Sequence, residues 1–254
     1  MSETPPLPRP GRQTWYTEWF DSPYYHLLYQ NRDDQEAQRF IDHLVRYLDV
    51  AYGHRLLDLA CGKGRHAIYL NKLGFNVMGV DLSRSNIALA NWFINERLKF
   101  RVHDMRRVVK PNYFHFILNL FTSFGYFDDP ADDEQAMHAA AQGLLTNGRL
   151  IVDFMNTPKV LRELTPVETK EMQGVVFRLE RKLVDDVIVK RIRFEDEGRA
   201  YDFQERVRAL HLLDFERLMQ GAGLRVEGVF GDYRLGPYDA ERSDRIIIVA
   251  RRTK

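Results

Sequence analysis

The stretch Arg55 to Ser83, RLLDLACGKGRHAIYLNKLGFNVMGVDLS, limits more than any other what this chain can fold into. An apolar strand, RLLDLA, runs into the turn Gly62-Lys63-Gly64. A helical segment, GRHAIYLNKLG, follows, and a second apolar strand, FNVMGV, stops on Asp81. Strands without polar alternation need cover on both faces, which points to a parallel sheet with helices above and below. In such a unit the glycines let the backbone bend sharply at the strand end. The free N–H groups of the following helix then face whatever binds there.

The segments around this unit extend the same pattern. Phe40, Ile41, Leu44, Val45 and Leu48 recur at helical spacing within Glu36 to Leu48. After Asp81 come a helix, SRSNIALANWFIN, with Ser83 as N-cap, a strand, KFRVH, and a strong apolar strand, YFHFILNL. DPADDEQAMHAAAQGLL reads as a helix capped by Asp129 with Pro130 in its first turn, and GRLIVDFM as the next strand. The period then changes. VVFRLERKLVDDVIVKRIRFEDEGRAYDFQERVRALH alternates apolar and charged residues and reads as about three antiparallel strands, turning at Asp185-Asp186 and at EDEG. A helix, LDFERLMQGAG, and two strands, LRVEGVFG and RIIIVARR, complete the chain. The link between those strands has no room for a crossover helix, so they must be antiparallel neighbours.

The predicted fold class is therefore α/β: a Rossmann-like, doubly wound, mostly parallel seven-stranded sheet with an antiparallel last strand, plus a small antiparallel β insertion. Residues 1–35 are expected to form a tail and an aromatic lid segment. Residues 36–156 and 211–254 are expected to form the nucleoside-binding core, and 157–210 an inserted cap over the substrate. The proline-rich start, residues 1 to 13, is expected to be disordered.

Composition narrows the function classes. A net charge of +1 gives no bulk attraction for nucleic acid, and KRIR at Lys190 to Arg193 reads as a solvated strand face. The lone Cys61 cannot form an internal disulfide, which suits a reducing cytoplasm. His, Asp and Glu are scattered, so no metal site is expected. The start lacks the apolar core of a signal peptide, and no run approaches the ~18 apolar residues of a membrane helix. A cytoplasmic protein, monomer or homodimer, without a membrane partner is expected.

In an open α/β sheet, ligands sit beyond the carboxyl ends of the strands, where strand order reverses. Asp58 precedes the glycine turn. Asp81, at the second strand end, can accept from both hydroxyls of a ribose and would repel a 2′-phosphate. Asp104, after the third strand, can accept from an adenine amine, with Met105 a soft face for the ring. NLFTSFGYF, Asn119 to Phe127, places Asn119 at the fourth strand end, with Phe121, Phe124 and Tyr126 as pocket walls. Gly62 to Ala67 formally fits the dinucleotide fingerprint, with Asp81 19 residues after Gly62. Against that reading, Asp58 would face a pyrophosphate and Asp104 adds a third acid. The P-loop pattern is absent. S-adenosylmethionine meets these constraints better: its ammonium suits Asp58, its carboxylate the helix N-terminus or a nearby cation, its ribose Asp81 and its adenine Asp104.

The run Asp58-Leu59-Ala60-Cys61-Gly62-Lys63-Gly64 resembles the first motif of class I S-adenosylmethionine-dependent methyltransferases, with Ala60 where many members have glycine. GVDLS, HDMRR and NLFTSFGYF resemble the second, third and fourth motifs, and CGKGRHAIYL is similar to the bacterial small-molecule branch that includes the tellurite-resistance type. The resemblance implies methyl transfer from S-adenosylmethionine to a small-molecule acceptor, with S-adenosylhomocysteine as product. It implies cofactor contacts from Asp58, Ala60, Cys61, Gly62, Gly64, Arg65, Asp81, Leu82, Asp104, Met105, Asn119, Leu120 and Phe121. Tyr29 and Arg32, in an aromatic segment with Tyr24, Tyr25 and His26, are expected near the cofactor carboxylate. Asp153 is the candidate to orient a polar acceptor; the alternative is that it only bonds a loop backbone. Asn119-Leu-Phe-Thr122 stands where base-methylating enzymes carry a proline pair, which argues against a nucleic-acid acceptor. Two other functions stay open at this point: an NAD(P)-dependent oxidoreductase, and a non-catalytic cofactor-binding sensor or scaffold.

Overall fold

A computed structural model describes residues 15–30 and 34–253. The expected disorder of residues 1 to 13 and the expected role of Arg32 both fall outside the described residues.

The apolar strands build one seven-stranded sheet. Its strands are β1 (Arg55–Leu59), β2 (Asn76–Asp81), β3 (Leu98–Val102), β4 (Phe114–Asn119), β5 (Leu144–Met155), β10 (Leu224–Phe230) and β11 (Arg245–Arg252). Their spatial order is β10-β11-β5-β4-β1-β2-β3. β1 pairs in parallel with both β2 and β4, so chain order reverses between β1 and β4 and opens a crevice beyond their ends. Only β11 runs against the rest, antiparallel to both β5 and β10, as the short connection required.

Side-chain alternation sends Leu56 to one face of the sheet and Leu57 to the other. On the first face lie α3 (Asp34–Tyr47), α4 (Arg65–Lys72) and α5 (Arg84–Ala90), with Phe40, Ile41 and Leu44 of α3 buried. On the second lie α6 (Pro130–Gly143) and α8 (Leu212–Gly221). Asp129 caps α6 through Ala131 N at 3.0 Å, and a row of alanines lets that helix approach the sheet closely. Among the described residues, no helix is long and apolar enough to cross a membrane.

A short helix, α7 (Thr157–Arg162), leads into a second sheet of four antiparallel strands: β6 (Val167–Met172), β7 (Val175–Val184), β8 (Val187–Asp196) and β9 (Arg199–Arg208). About three strands were expected. The extra one, β6, reads VETKEM, a polar edge strand without a clear apolar face. Its turn is Gln173-Gly174, with φ of +51° and +85°; Asp185-Asp186 and Glu197-Gly198 make the same left-handed two-residue turn.

The aromatic segment near the start forms α1 (Trp15–Asp21) and α2 (Pro23–Leu28), which lie on this second sheet. Trp19 and Leu28 share a core with Val175, Phe177, Leu179, Ile192 and Phe194. One carboxylate, Glu205, fastens the arrangement: it accepts from Trp19 Nε1 at 2.6 Å and from the Tyr29 hydroxyl at 2.7 Å, with Lys190 Nζ 3.2 Å away. Burial pushes the Lys190 ammonium pKa down, against the pull of Glu205.

Candidate active site

A cavity of about 770 Å³ lies beyond the ends of β1 to β4, roofed by α1 and α2. Its floor begins with the glycine turn. Ala60 has φ +64°, and Gly62 and Gly64 have φ +55° and +84°. Ala60 thus holds a left-handed conformation that costs a residue with a Cβ about 1–2 kcal/mol, which explains why glycine is common there. Phe121 and Thr122, past the end of β4, are also left-handed, at +60° and +58°. Strain of this kind concentrates where a fold shapes a site.

Glycine is needed at Gly64 for a second reason, and at Gly79 for the same one. A Cβ at either would fall 2.5–2.6 Å from the buried Phe100 ring. The close approach seats α4 and β2 against one aromatic ring and leaves the turn between them open to the cavity.

Asp81 ties the turn down. Its Oδ2 accepts from Gly62 N and its Oδ1 from Ser83 N, both at 2.8 Å. Burial raises its carboxyl pKa, partly offset by those two hydrogen bonds. From the roof, Asp21 at the end of α1 accepts from the hydroxyls of Ser83 and Ser85, joining α1 to the same loop. Asp104, at the end of β3, also lines the cavity and is gripped by Arg106.

Of the described residues expected to contact cofactor or acceptor, eleven line this one cavity: Tyr29, Ala60, Cys61, Gly62, Arg65, Asp81, Leu82, Asp104, Met105, Leu120 and Phe121. Four do not. Gly64 supports the turn from beneath. Asp58 is buried behind it and accepts from Ala67 N in the first turn of α4 at 3.1 Å. It supplies the capping acceptor that the N-cap residue, Gly64, lacks. The sequence reading set its charge at the mouth of the turn; the fold buries it behind the turn instead, and burial raises its pKa to about 7. Asn119 stitches the crevice shut from below, donating to Leu59 O at 3.1 Å and Ser123 O at 3.3 Å.

Asp153 is the fourth. It is fully buried, accepts from Arg245 Nε at 2.7 Å and from Phe121 N at 2.8 Å, and lies outside the cavity lining. The placement matches the loop-bonding alternative and not an acceptor contact. Arg245 also donates to Thr122 Oγ1 at 3.0 Å, so the pair holds both left-handed residues from behind. Phe121 is thereby presented to the cavity, where His66 stacks on it at 5.0 Å and the Arg65 guanidinium lies 4.5 Å from its centroid.

Several lining residues carried no distinct signal in the sequence. Tyr16 and Phe20 come from α1, Asn86 from α5 and Phe127 from the loop after β4. The roof helices meet that loop ring to ring: Phe20 lies 5.4 Å from Tyr126 and 4.9 Å from Tyr25. Helical spacing alone could have placed Tyr16 and Phe20 on one face, but not over this cavity.

The residues present fit S-adenosylmethionine. A turn free of side chains leads to a helix N-terminus with Arg65 beside it, and two carboxylates stand at neighbouring strand ends. A volume of about 770 Å³ lies within the range of roughly 300–1,000 Å³ typical of small-molecule sites. Fold and site together resemble the class I S-adenosylmethionine-dependent methyltransferases.

Comparison with known proteins agrees. Residues 56–148 match the family described as the methyltransferase domain, and the chain carries that domain. The protein named "Putative methyltransferase YqeM" of Bacillus subtilis is 26% identical over 211 residues, covering 79% of this chain and 85% of YqeM. Other curated relatives are matched over about half of their length. An S-adenosylmethionine-dependent methyltransferase from Clostridium acetobutylicum has a similar fold, with TM-score 0.76, 22% identity and coverage of 90% of this chain and 95% of that one. CalS10 of Micromonospora echinaspora, an amino pentose methyltransferase solved with S-adenosylmethionine bound, gives TM-score 0.71 at 19% identity, covering 91% of this chain and 98% of its own. The chain carries a methyltransferase domain, in a fold it shares with S-adenosylmethionine-dependent methyltransferases, and these likenesses leave the acceptor unnamed.

Proposed function

We propose that the protein transfers a methyl group to a small, amine-bearing acceptor held between the core and the roof. Bound S-adenosylmethionine supplies an electrophilic methyl group on a sulfonium. In this reading Asp81 accepts from the ribose hydroxyls, and Asp104 and Met105 take the adenine. Cys61, Gly62 and the start of α4, with Arg65 beside it, take the amino-acid end. Leu82, Leu120 and Phe121 pack the nucleoside and the sulfonium region. The observation that carries the reading is the common cavity: the glycine turn, Asp81 and Asp104 all line it.

The acceptor side belongs to the roof, so we assign residues 15–30 and 157–210 to a cap and 36–156 with 211–254 to the cofactor core. Tyr16, Phe20, Tyr25, His26 and Tyr126 wall that side. An aromatic wall suits an amine, because positive charge moves from sulfur to nitrogen during transfer and ring faces stabilise a cation. The named activity of CalS10, and of a sugar N-methyltransferase of similar fold, supports the same acceptor class. A neutral amine needs no enzyme base before attack; the chain has only to align it with the methyl carbon. The near-zero net charge speaks against a nucleic acid. The lone buried cysteine fits the cytoplasm, and monomer and homodimer both fit this site.

The test is calorimetric titration of S-adenosylhomocysteine into wild type and Asp81→Ala. Micromolar binding to wild type that weakens at least tenfold in the variant is expected. NADH binding in place of S-adenosylhomocysteine would overturn the reading.

A further inference from the structure

We propose that Arg106 is the positioning residue that makes the nucleoside end of the cavity specific for a 6-aminopurine, acting through Asp104. The proposal rests on the cofactor reading above.

Asp104 lines the cavity; Arg106 does not. Arg106 grips Asp104 from the protein side. Its Nε lies 3.1 Å from both Oδ1 and Oδ2, its Nη2 2.5 Å from Oδ2, and its backbone N donates to Oδ1 at 3.0 Å. Three N–H groups of Arg106 thus engage the carboxylate, with Nε shared between its two oxygens, against about four lone-pair positions. Room remains for about one further donor. A carboxylate forked by a guanidinium is ionised, so it accepts and never donates. It can pair with an exocyclic amine and is repelled by an exocyclic oxygen.

The same guanidinium reaches two other walls. Nη1 donates to Asp132 Oδ2 on α6 at 2.8 Å, and the charge lies 5.1 Å from the centroid of Phe127, which lines the cavity. One side chain thus fixes the end of β3, the start of α6 and the loop after β4 around the base. Burial acts to raise the Asp104 pKa, but the Arg106 hydrogen bonds and charge outweigh it and hold the carboxyl below its usual range. Arg107 adds a weaker pull from the same loop, Asp132 faces Asp104 only across Arg106, and the His103 ring is bonded to Arg107 O.

The test measures binding of two probes, S-adenosylhomocysteine and its 6-oxo analogue S-inosylhomocysteine, to wild type, Arg106→Gln and Arg106→Lys from pH 5 to 8. Wild type should prefer the 6-amino probe at least tenfold, with little change over this range. In Arg106→Gln the preference should fall about tenfold. The remaining affinity for the 6-amino probe should be lost as pH drops, because the half-buried carboxyl, freed of its partner, takes up a proton. Arg106→Lys keeps the charge without the fork and should lie between. Asp104→Asn marks full loss of discrimination, and thermal unfolding of each variant reports whether it is folded. An unchanged probe ratio and flat pH profile in folded Arg106→Gln would sink the proposal and spare the cofactor reading. Tighter binding of the 6-amino probe by that variant would also sink it, since Arg106 would then be a competitor. Failure of wild type to bind either probe would overturn the cofactor reading, and this proposal with it.

Discussion

Replacing Asp153 by alanine tests the idea that this acid builds the site without touching the acceptor. Asp153 is fully buried, and Arg245 keeps 18% of its side chain exposed. Removing the acid strands the guanidinium, with only Thr122 Oγ1 left to it among the bonds described above. It also removes the acceptor for Phe121 N. Breaking a buried pair in this way costs about 3–5 kcal/mol. In a chain of this size each kcal/mol shifts the melting temperature by about 2–4 °C, so a drop of roughly 6–20 °C is expected. Circular dichroism melting and urea unfolding measure it. A second variant, Asp153→Leu with Arg245→Met, replaces both charges by apolar groups and should recover most of the loss. S-adenosylhomocysteine affinity should fall in Asp153→Ala, because Phe121 is no longer held at its left-handed angle against His66. A melting temperature within about 2 °C of wild type, joined to a selective rise in acceptor KM, would refute the reasoning. Asp153 would then act on the acceptor.

Two further outcomes follow from the same geometry. Gly79→Ala drives a Cβ to 2.5 Å from Phe100 and 2.9 Å from Cys61 Sγ. It should cost about 1–3 kcal/mol in urea unfolding and weaken S-adenosylhomocysteine binding by displacing the Cys61-Gly62 turn. Asp58, raised to about 7 by burial, binds its proton more tightly folded than unfolded. The stability this supplies is full below about pH 4 and is lost as pH climbs through about 7. Asp58→Asn removes that titration, so its stability relative to wild type should rise by up to about 4 kcal/mol between pH 4 and 8, read from urea midpoints at each pH.

The core was legible because its signals are local. Unbroken apolar runs, a glycine turn and an acid at a strand end each declare themselves within a few residues, and together they set the sheet and placed Asp81 and Asp104 on one cavity. What failed to show depended on distant partners. Asp153 looked like a free acid at a strand end; Arg245, 92 residues on, claims it. Asp58 looked like a pocket charge, yet it is the cap that a helix beginning at glycine must find elsewhere. Strand β6 was missed because its edge position needs no apolar stripe, and its left-handed turn is made by Gln173 beside a glycine. Arg106 gave no signal, since an arginine two residues after an acid is common and only the fold shows its fork.

The roof over the cavity also imposes an order on how the chain matures. Trp19 needs Glu205, 186 residues later, and α1 and α2 find their apolar cover only on strands that span residues 167–208. At a synthesis rate of about 5–20 residues per second, these helices wait roughly 10–40 s before their partners exist. Through that interval Trp15, Trp19, Phe20, Tyr24 and Tyr25 form an uncovered aromatic stretch. The nucleoside-binding strands are complete much earlier. A nascent chain would thus hold an unfastened roof, a target for chaperones that grip exposed aromatic segments, until β9 has been made, and the floor itself is locked only when Arg245 of β11 reaches Asp153.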